Sequence, residues 1–232
     1  YRPEAGDIPL MMRGYEDTVV AAATPAGGAL SVVRVSGKDA FAICDKIFRS
    51  ATGRKVSSQP GYTLMYGDII NETGEVVDDI LLSVFRSPKS YTGEDSVEIS
   101  CHGSGYIVSE IIRLLINAGA RAADAGEFTS RAFLAGRIDL SQAEAVADII
   151  ASHDRATHKI ASTQMRGGYS SEFSELRSNL LRLSSLLELE LDFSEEAVTF
   201  ADRSELASLI DTAILKISGL IFSFSLGNAI KK

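Results

Sequence analysis

The sequence predicts an α+β protein in which a mixed α/β sheet domain comes first and an all-α helical bundle follows. Short apolar runs, rich in β-branched residues, are separated by turn residues or a helical segment between residues 19 and 101. Two glycines, Gly126 and Gly136, then mark the ends of a short segment between the two halves. From Ser141 onward, apolar residues recur every three or four positions, which is typical of helices that bury one face.

The first half is predicted to form a sheet of about five strands packed with helices. The five strand-like runs are residues 19–23, 30–35, 62–70, 76–85 and 97–101. Asn71-Glu72-Thr73-Gly74 has the composition of a hairpin turn between the third and fourth runs. Residues 38–48 and 106–117 carry apolar side chains at helical spacing, and Gly119 should end the second helix.

The second half is predicted to be helical throughout. Its first helix should run from Ser141 to about Met165, and either Asp139 with Gln142 or Ser141 with Glu144 would cap its start. The apolar stripe of the second helix consists of Phe173, Leu176, Leu180, Leu183 and Leu187. Asp202 with Glu205 should cap a third helix, whose buried face consists of Leu206, Leu209, Ile210, Ala213, Ile214 and Ile217.

Composition indicates a soluble protein without a membrane span. The chain is 45% hydrophobic but has no apolar run long enough to cross a bilayer, and no secretory signal. Its two cysteines, Cys44 and Cys101, are too few for a disulfide framework, so a reduced, cytoplasmic location is expected and both should be packing residues. The formal net charge of -8 restricts any contact with nucleic acid to a local surface.

Four segments together identify a family. The run Gly126 to Ala145, GEFTSRAFLAGRIDLSQAEA, resembles the signature GEF-x-x-RAFL-x-G[KR]-x-DL-x-QAEA of the MnmE (TrmE) family of tRNA modification GTPases. Residues 17–37, 90–103 and 191–196 are similar to three further family segments in the same order. Agreement over so many positions predicts membership from about residue 17 to the C-terminus.

The resemblance implies a domain organisation. Residues 17–136 would form a folate-binding and dimerisation domain, similar to domains of folate-dependent aminomethyltransferases, and residues 137–232 the first part of an incomplete helical domain. Residues 1–16 match nothing in the family and are interpreted as a natural extension or a cloning remnant. No GxxxxGK[ST] loop occurs in the 232 residues, so the family's GTPase domain, with its GTP, magnesium and potassium, is expected after residue 232.

The resemblance also implies an activity and partners. Members of the family hydrolyse GTP and act as homodimers with the FAD-dependent protein MnmG on the wobble uridine of tRNA, which receives a 5-carboxymethylaminomethyl group. The folate is proposed to supply a one-carbon unit. No catalytic residue and no metal site are expected in this chain itself.

Three residues are the predicted binding site. An arginine at position 34 can clamp a carboxylate, Glu98 can accept two donors from a pterin-like ring edge, and Arg137 can pair with an acidic ligand tail. In the family, the positions that match Arg34, Glu98 and Arg137 contact 5-formyltetrahydrofolate, together with a terminal lysine that has no counterpart here. The sequence leaves open which arginine holds the tail.

Other interpretations remain open. Without the resemblance, Arg34 would be interpreted as a surface or salt-bridged residue and Glu98 as part of a solvated strand face. His102 is predicted to be a turn residue that bonds to the backbone, rather than a general base, and Glu127 should pair with Arg131. A stand-alone folate-dependent one-carbon transferase or a non-catalytic dimerisation module would also be compatible with the sequence.

Overall fold

The computed structural model describes residues 16–25, 27–192 and 203–230, and the chain divides into two compact units between Ile138 and Asp139. The first unit is built on a seven-stranded sheet of order β3-β4-β5-β6-β2-β1-β7. Its strands are β1 (Val19–Ala22), β2 (Leu30–Ser36), β3 (Phe48–Ser50), β4 (Thr63–Ile70), β5 (Val76–Phe85), β6 (Ser96–His102) and β7 (Arg121–Ala122). All neighbouring strands are antiparallel except β1 and β7.

Helices α1 (Ala40–Ile47) and α2 (Gly105–Asn117) pack against the sheet, and α3 (Glu127–Leu134) follows β7. Successive strand residues point to opposite faces. The core face of β2 therefore carries Val33 and Val35, while Arg34 between them points to the other face. Because Glu98 alternates in the same way between Val97 and Ile99 of β6, both predicted ligand residues lie on the face away from the core.

The α+β prediction is confirmed, and all five predicted strands are present. The hairpin prediction is also confirmed: the Asn71 side-chain oxygen accepts the backbone N–H groups of Thr73 and Glu75, and Gly74 adopts a φ of 85°. The edge strands β3 and β7 were not predicted, since three and two residues are too few to show a period. Phe48 begins β3, although its spacing matches the preceding helix.

Helix α3 is a second element that periodicity does not indicate. Its buried residues are Glu127, Arg131 and Ala132, so two of the three positions that face inward are charged. A helix whose buried face is polar shows no apolar stripe, which is why this segment is not among the helices predicted from the sequence.

The second unit consists of helices α4 (Leu140–Ala151), α5 (Arg155–Met165), α6 (Gly168–Asp192) and α7 (Arg203–Ile230). The Asp139–Gln142 capping box is confirmed, with the Asp139 carboxylate accepting the Gln142 N–H at 2.9 Å. The single helix predicted over residues 141–165 is wrong. The backbone is extended at Ser152, which ends α4. The Asp154 carboxylate then accepts the Thr157 N–H and caps the start of a new helix.

The predicted buried stripes are only partly covered within the described residues. Leu176 and Leu183 of α6 and Leu206 and Leu209 of α7 are half-buried, and Ala213 of α7 is buried. The remaining stripe residues that stay exposed are Phe173, Leu180, Leu187, Ile210, Ile214 and Ile217. Asp202, predicted to cap α7, lies outside the described residues. No helix in the described part of the chain combines the length and hydrophobicity that a membrane crossing needs.

Candidate ligand-binding site

Arg34 and Glu98 form an ion pair across neighbouring strands. They are register partners on β2 and β6, and both Nε and Nη2 of Arg34 donate to Oε1 of Glu98, at 3.0 and 2.7 Å. Their side chains are 22% and 29% exposed, so the pair is reachable from solvent but mostly enclosed. The structure therefore brings two of the three predicted site residues into direct contact.

This ion pair keeps hydrogen-bonding capacity on both partners. Among the described residues, neither Nη1 of Arg34 nor Oε2 of Glu98 has a partner. A guanidinium carries five N–H donors and a carboxylate has lone pairs on both oxygens, so only part of either group is used. The pair can thus donate to and accept from one ligand edge.

Two aromatic rings enclose the Arg34 guanidinium. Its Cζ lies 5.0 Å from the centre of the Tyr91 ring and 5.4 Å from that of the Phe128 ring, within the range of cation–π attraction. The Tyr91 hydroxyl lies 2.9 Å from the Thr129 hydroxyl, which links residues 90–95 to α3. Both rings fall in segments that resemble the family, but no periodicity or spacing marked them as site residues.

Arg137 lies just after α3, and its backbone N–H donates to the Ala132 carbonyl at 2.9 Å. Its side-chain stem passes over Gly93, where an added Cβ would lie 3.2 Å from Arg137 Cγ. Gly93 also has a φ of 82°, so a larger residue would be both strained and crowded. The Arg137 guanidinium makes no ion pair with any described residue. Loop 90–95 therefore contacts both predicted arginines, Arg34 through Tyr91 and Arg137 through Gly93.

A buried charge network anchors this loop. Arg131, whose side chain is 1% exposed, contacts Glu127 at 2.8 Å, Asp17 at 2.6 Å and Glu94 at 3.0 Å. Arg121 adds bonds to Glu127 and Asp17. The predicted pair of Glu127 and Arg131 is confirmed, and it is one link of a larger network that joins α3, loop 90–95 and the segment before β1.

The network stabilises the ionised form of two of its carboxylates. Burial alone would raise the pKa of Asp17 and Glu127, but hydrogen bonds from Arg121 and Arg131 outweigh it and hold both pKa values below the ordinary range. Glu94 also accepts a hydrogen bond from Ser36, whose hydroxyl lies 2.6 Å from that of Thr92. Loop 90–95 is thereby fixed between β2 and α3.

The prediction for His102 is wrong. His102 ends β6, and its Nδ1 lies 2.7 Å from the carboxylate of Asp78, which also accepts the His102 backbone N–H. Asp78 is buried on the core side of β5, so it needs these two partners. Ligand atoms of Asp78, Asp79 and His102 lie within 4.8 Å of one another, yet His102 already engages both oxygens of Asp78. Cys44 and Cys101 are buried, as predicted, and burial raises the pKa of both thiols.

His102 should titrate above an ordinary histidine. The hydrogen bond to Asp78 is the main cause of its raised pKa, and the negative charges of Asp78 and Asp79 add to it. The ion pair therefore stabilises the fold fully at pH values below the unfolded-state histidine pKa of about 6.5. That stabilisation is lost as the pH rises through the folded-state pKa of His102. An NMR titration should show this upward shift in the wild type and its loss in Asp78→Asn. An unshifted wild-type histidine would contradict the assigned pairing.

Comparison with known proteins matches both units. Residues 18–137 match the family described as GTP-binding protein TrmE N-terminus, and residues 140–232 match the MnmE helical domain. The chain is 56% identical over 217 residues to a tRNA modification GTPase MnmE from Bacteroides thetaiotaomicron, covering 93% of this chain and 46% of that protein. Proteins of the same name from Parabacteroides distasonis and Flavobacterium johnsoniae are 54% and 52% identical, over 92% and 93% of this chain and 47% and 46% of their own lengths.

The chain thus spans about half the length of the curated relatives it matches. The two matched families lie in the same order as the sheet unit and the helical unit, and together they account for nearly all described residues. On this evidence from both units, the chain belongs to the MnmE (TrmE) family of tRNA modification GTPases.

Proposed function

We propose that this chain supplies the folate-binding and dimerising part of a tRNA modification GTPase, with 5-formyltetrahydrofolate bound at the Arg34–Glu98 pair. The observation that carries the proposal is the ion pair itself, which is partly enclosed and in which one carboxylate oxygen and several guanidinium N–H groups have no partner among the described residues. Such a pair suits a ligand edge that has both donors and an acceptor.

The chemistry of a reduced folate fits these residues. Its pterin ring presents N–H donors next to a carbonyl oxygen, so Glu98 Oε2 would accept from the ring while Arg34 donates to the carbonyl. Because Arg34 and Glu98 are paired, both would contact the same end of the ligand. Arg137, which is exposed and lies against Gly93 of loop 90–95, would then pair with the acidic glutamate tail.

The activity of the intact protein follows from its relatives. Those relatives carry the name tRNA modification GTPase MnmE, and this chain matches about half of each. We infer that the intact protein hydrolyses GTP, with magnesium and potassium, in a GTPase domain outside the 232 residues. With MnmG, in the cytoplasm, it would take part in the 5-carboxymethylaminomethyl modification of the tRNA wobble uridine.

A test of the ligand assignment uses fragments of the folate. Calorimetric titrations would compare 5-formyltetrahydrofolate with p-aminobenzoylglutamate, which lacks the pterin, and with 5-formyltetrahydropteroate, which lacks the glutamate. Glu98→Ala should not change the affinity for the pterin-free fragment, and Arg137→Ala should not change the affinity for the glutamate-free fragment. The reverse dependence would show that the ligand lies in the opposite orientation.

The outer face of the sheet supports dimer formation. Leu64, Tyr66 and Leu81 are exposed there, and Tyr66 and Leu81 are register partners on β4 and β5. Isolated exposed apolar residues are ordinary, but neighbours on one flat face form a patch that favours association. A second copy of this chain is the proposed occupant, since one self-complementary face suffices for a two-fold dimer.

Placing a charge on this patch should dissociate the dimer. Light scattering at micromolar concentration should find a dimer for the wild type and a monomer for Tyr66→Asp, because the carboxylate would be desolvated in the interface. Tyr106→Asp is the matched control, since Tyr106 is exposed on α2, away from the patch, and should leave the dimer intact. A wild-type monomer, or a Tyr66→Asp dimer as stable as the wild type, would contradict the assignment.

A further inference from the structure

We propose that Tyr91 and Phe128 are positioning residues of the ligand site. They hold the Arg34 guanidinium against Glu98 in the orientation in which it can contact a ligand. This inference rests on the proposed folate site but adds two residues and a mechanical role. It predicts that removing either ring weakens ligand binding without any change in charge.

The geometry of the two rings supports this role. They come from different elements, loop 90–95 and α3, yet both lie within 5.4 Å of one atom, Arg34 Cζ. A free arginine side chain samples many rotamers. Two rings on the guanidinium remove most of them and leave the orientation in which Nε and Nη2 share Oε1 of Glu98.

Core packing does not explain where these rings lie. Among the described residues, the hydrophobic core cluster of the first unit contains neither Tyr91 nor Phe128, and both are only half-buried. Each ring instead makes its aromatic contact with Arg34. Removing either ring should therefore affect the site more than the stability of the fold.

The Tyr91–Thr129 hydrogen bond completes the arrangement. Thr129 is the neighbour of Phe128 on α3, so the bond ties the loop that carries one ring to the helix that carries the other. The rings also shield the guanidinium from water, and a shielded charge forms stronger hydrogen bonds with a ligand. Loss of the Tyr91–Thr129 hydrogen bond should make the two rings hold the Arg34 guanidinium less tightly. Loss of either ring should expose the guanidinium to water.

Affinity measurements test the ligand-dependent part. Phe128→Leu and Tyr91→Leu should each weaken 5-formyltetrahydrofolate binding by about 3- to 30-fold, the range of one lost cation–π contact. Tyr91→Phe and Thr129→Val should each weaken folate binding less than the leucine variants do, and by equal factors. The double variant should bind no more weakly than either single variant, because both substitutions remove the same hydrogen bond. Phe133→Leu is the matched control, since Phe133 is an exposed residue of the same helix and should leave binding unchanged.

A ligand-free measurement separates this inference from the proposed function. In the wild type the Arg34 Nε–H signal in NMR, assigned by its loss in Arg34→Lys, should exchange slowly with water. In Phe128→Leu and Tyr91→Leu, exchange should be at least about tenfold faster, while Tyr91→Phe should stay near the wild type. Unchanged exchange in both leucine variants would overturn the positioning role, whereas absence of folate binding by the wild type would overturn only the proposed ligand.

Discussion

Replacing Arg131 with methionine should lower the free energy of unfolding by about 3–5 kcal/mol, the usual effect of removing one partner from a buried ion pair. Arg131 is the shared counter-charge of Asp17, Glu94 and Glu127, and its side chain is 1% exposed. Methionine fills a similar volume but leaves these carboxylates without that cation. Chemical denaturation followed by tyrosine fluorescence measures the change, because the chain has no tryptophan.

Arg113→Met is the control for this experiment. Arg113 also pairs with two carboxylates, Glu110 and Glu72, but on an exposed surface, so its loss should matter far less. Equal effects of the two substitutions would mean that the network around Arg131 is not a structural centre of the first unit.

The same network predicts how stability depends on pH. The folded-state pKa values of Asp17 and Glu127 are lowered, so the stability that these groups contribute is present above their unfolded-state values and is lost as pH falls through the folded-state values. In Arg131→Met, protonation of the carboxylates that have lost this cation should relieve their mutual repulsion. The stability difference between wild type and variant should therefore narrow below about pH 4, near the unfolded-state values of Asp and Glu.

Glu98→Ala and Arg34→Ala should each weaken 5-formyltetrahydrofolate binding at least thirtyfold. Removing one member of a hydrogen-bonded charge pair in an interface costs about 2–5 kcal/mol, and part of that is the charge left unpaired in the remaining partner. Here each substitution would remove one of the proposed ligand contacts and would also leave the other member of the pair without its partner. Arg137→Lys should be tolerated better than Arg137→Ala, because a lysine still presents a cation to the acidic tail.

Arg49→Ala is the matched control for these variants. Arg49 pairs with Asp68 across β3 and β4 in the same sheet, through Nη2 at 2.8 Å, and lies outside the proposed site. Its loss should not change the affinity measured by calorimetry. Unchanged affinity in both Glu98→Ala and Arg34→Ala would mean that the site is wrongly assigned, even though the family is right.

Periodicity predicted the elements that bury apolar faces, and it failed where burial is polar. The five predicted strands and helices α1 and α2 follow from alternation and helical spacing, whereas the edge strands β3 and β7 are too short to show a period. Helix α3 does not follow from such spacing, because its inward positions include the charged residues Glu127 and Arg131. Two partners of Arg131, Asp17 and Glu94, come from segments far away in the chain. The break before α5 depends on a local hydrogen bond. The Asp154 side chain accepts the Thr157 N–H and caps a new helix, so the preceding helix does not continue.

Three residues of the candidate site could be proposed from the sequence, but their contacts in space could not. The resemblance indicated Arg34, Glu98 and Arg137. Contact between the first two depends on the register of β2 against β6, between residues 64 positions apart, and local sequence does not determine that register. The roles of Tyr91 and Phe128 likewise arise only when loop 90–95 and α3 meet over one guanidinium.

A crystal structure of this chain with 5-formyltetrahydrofolate is the decisive test of the proposed site. We expect pterin density beside Arg34, with ring N–H groups within hydrogen-bond distance of Glu98 Oε2, the ring carbonyl near the Arg34 guanidinium, and the glutamate tail toward Arg137. Folate density at any other place, with the Arg34–Glu98 pair making no contact to it, would contradict the account.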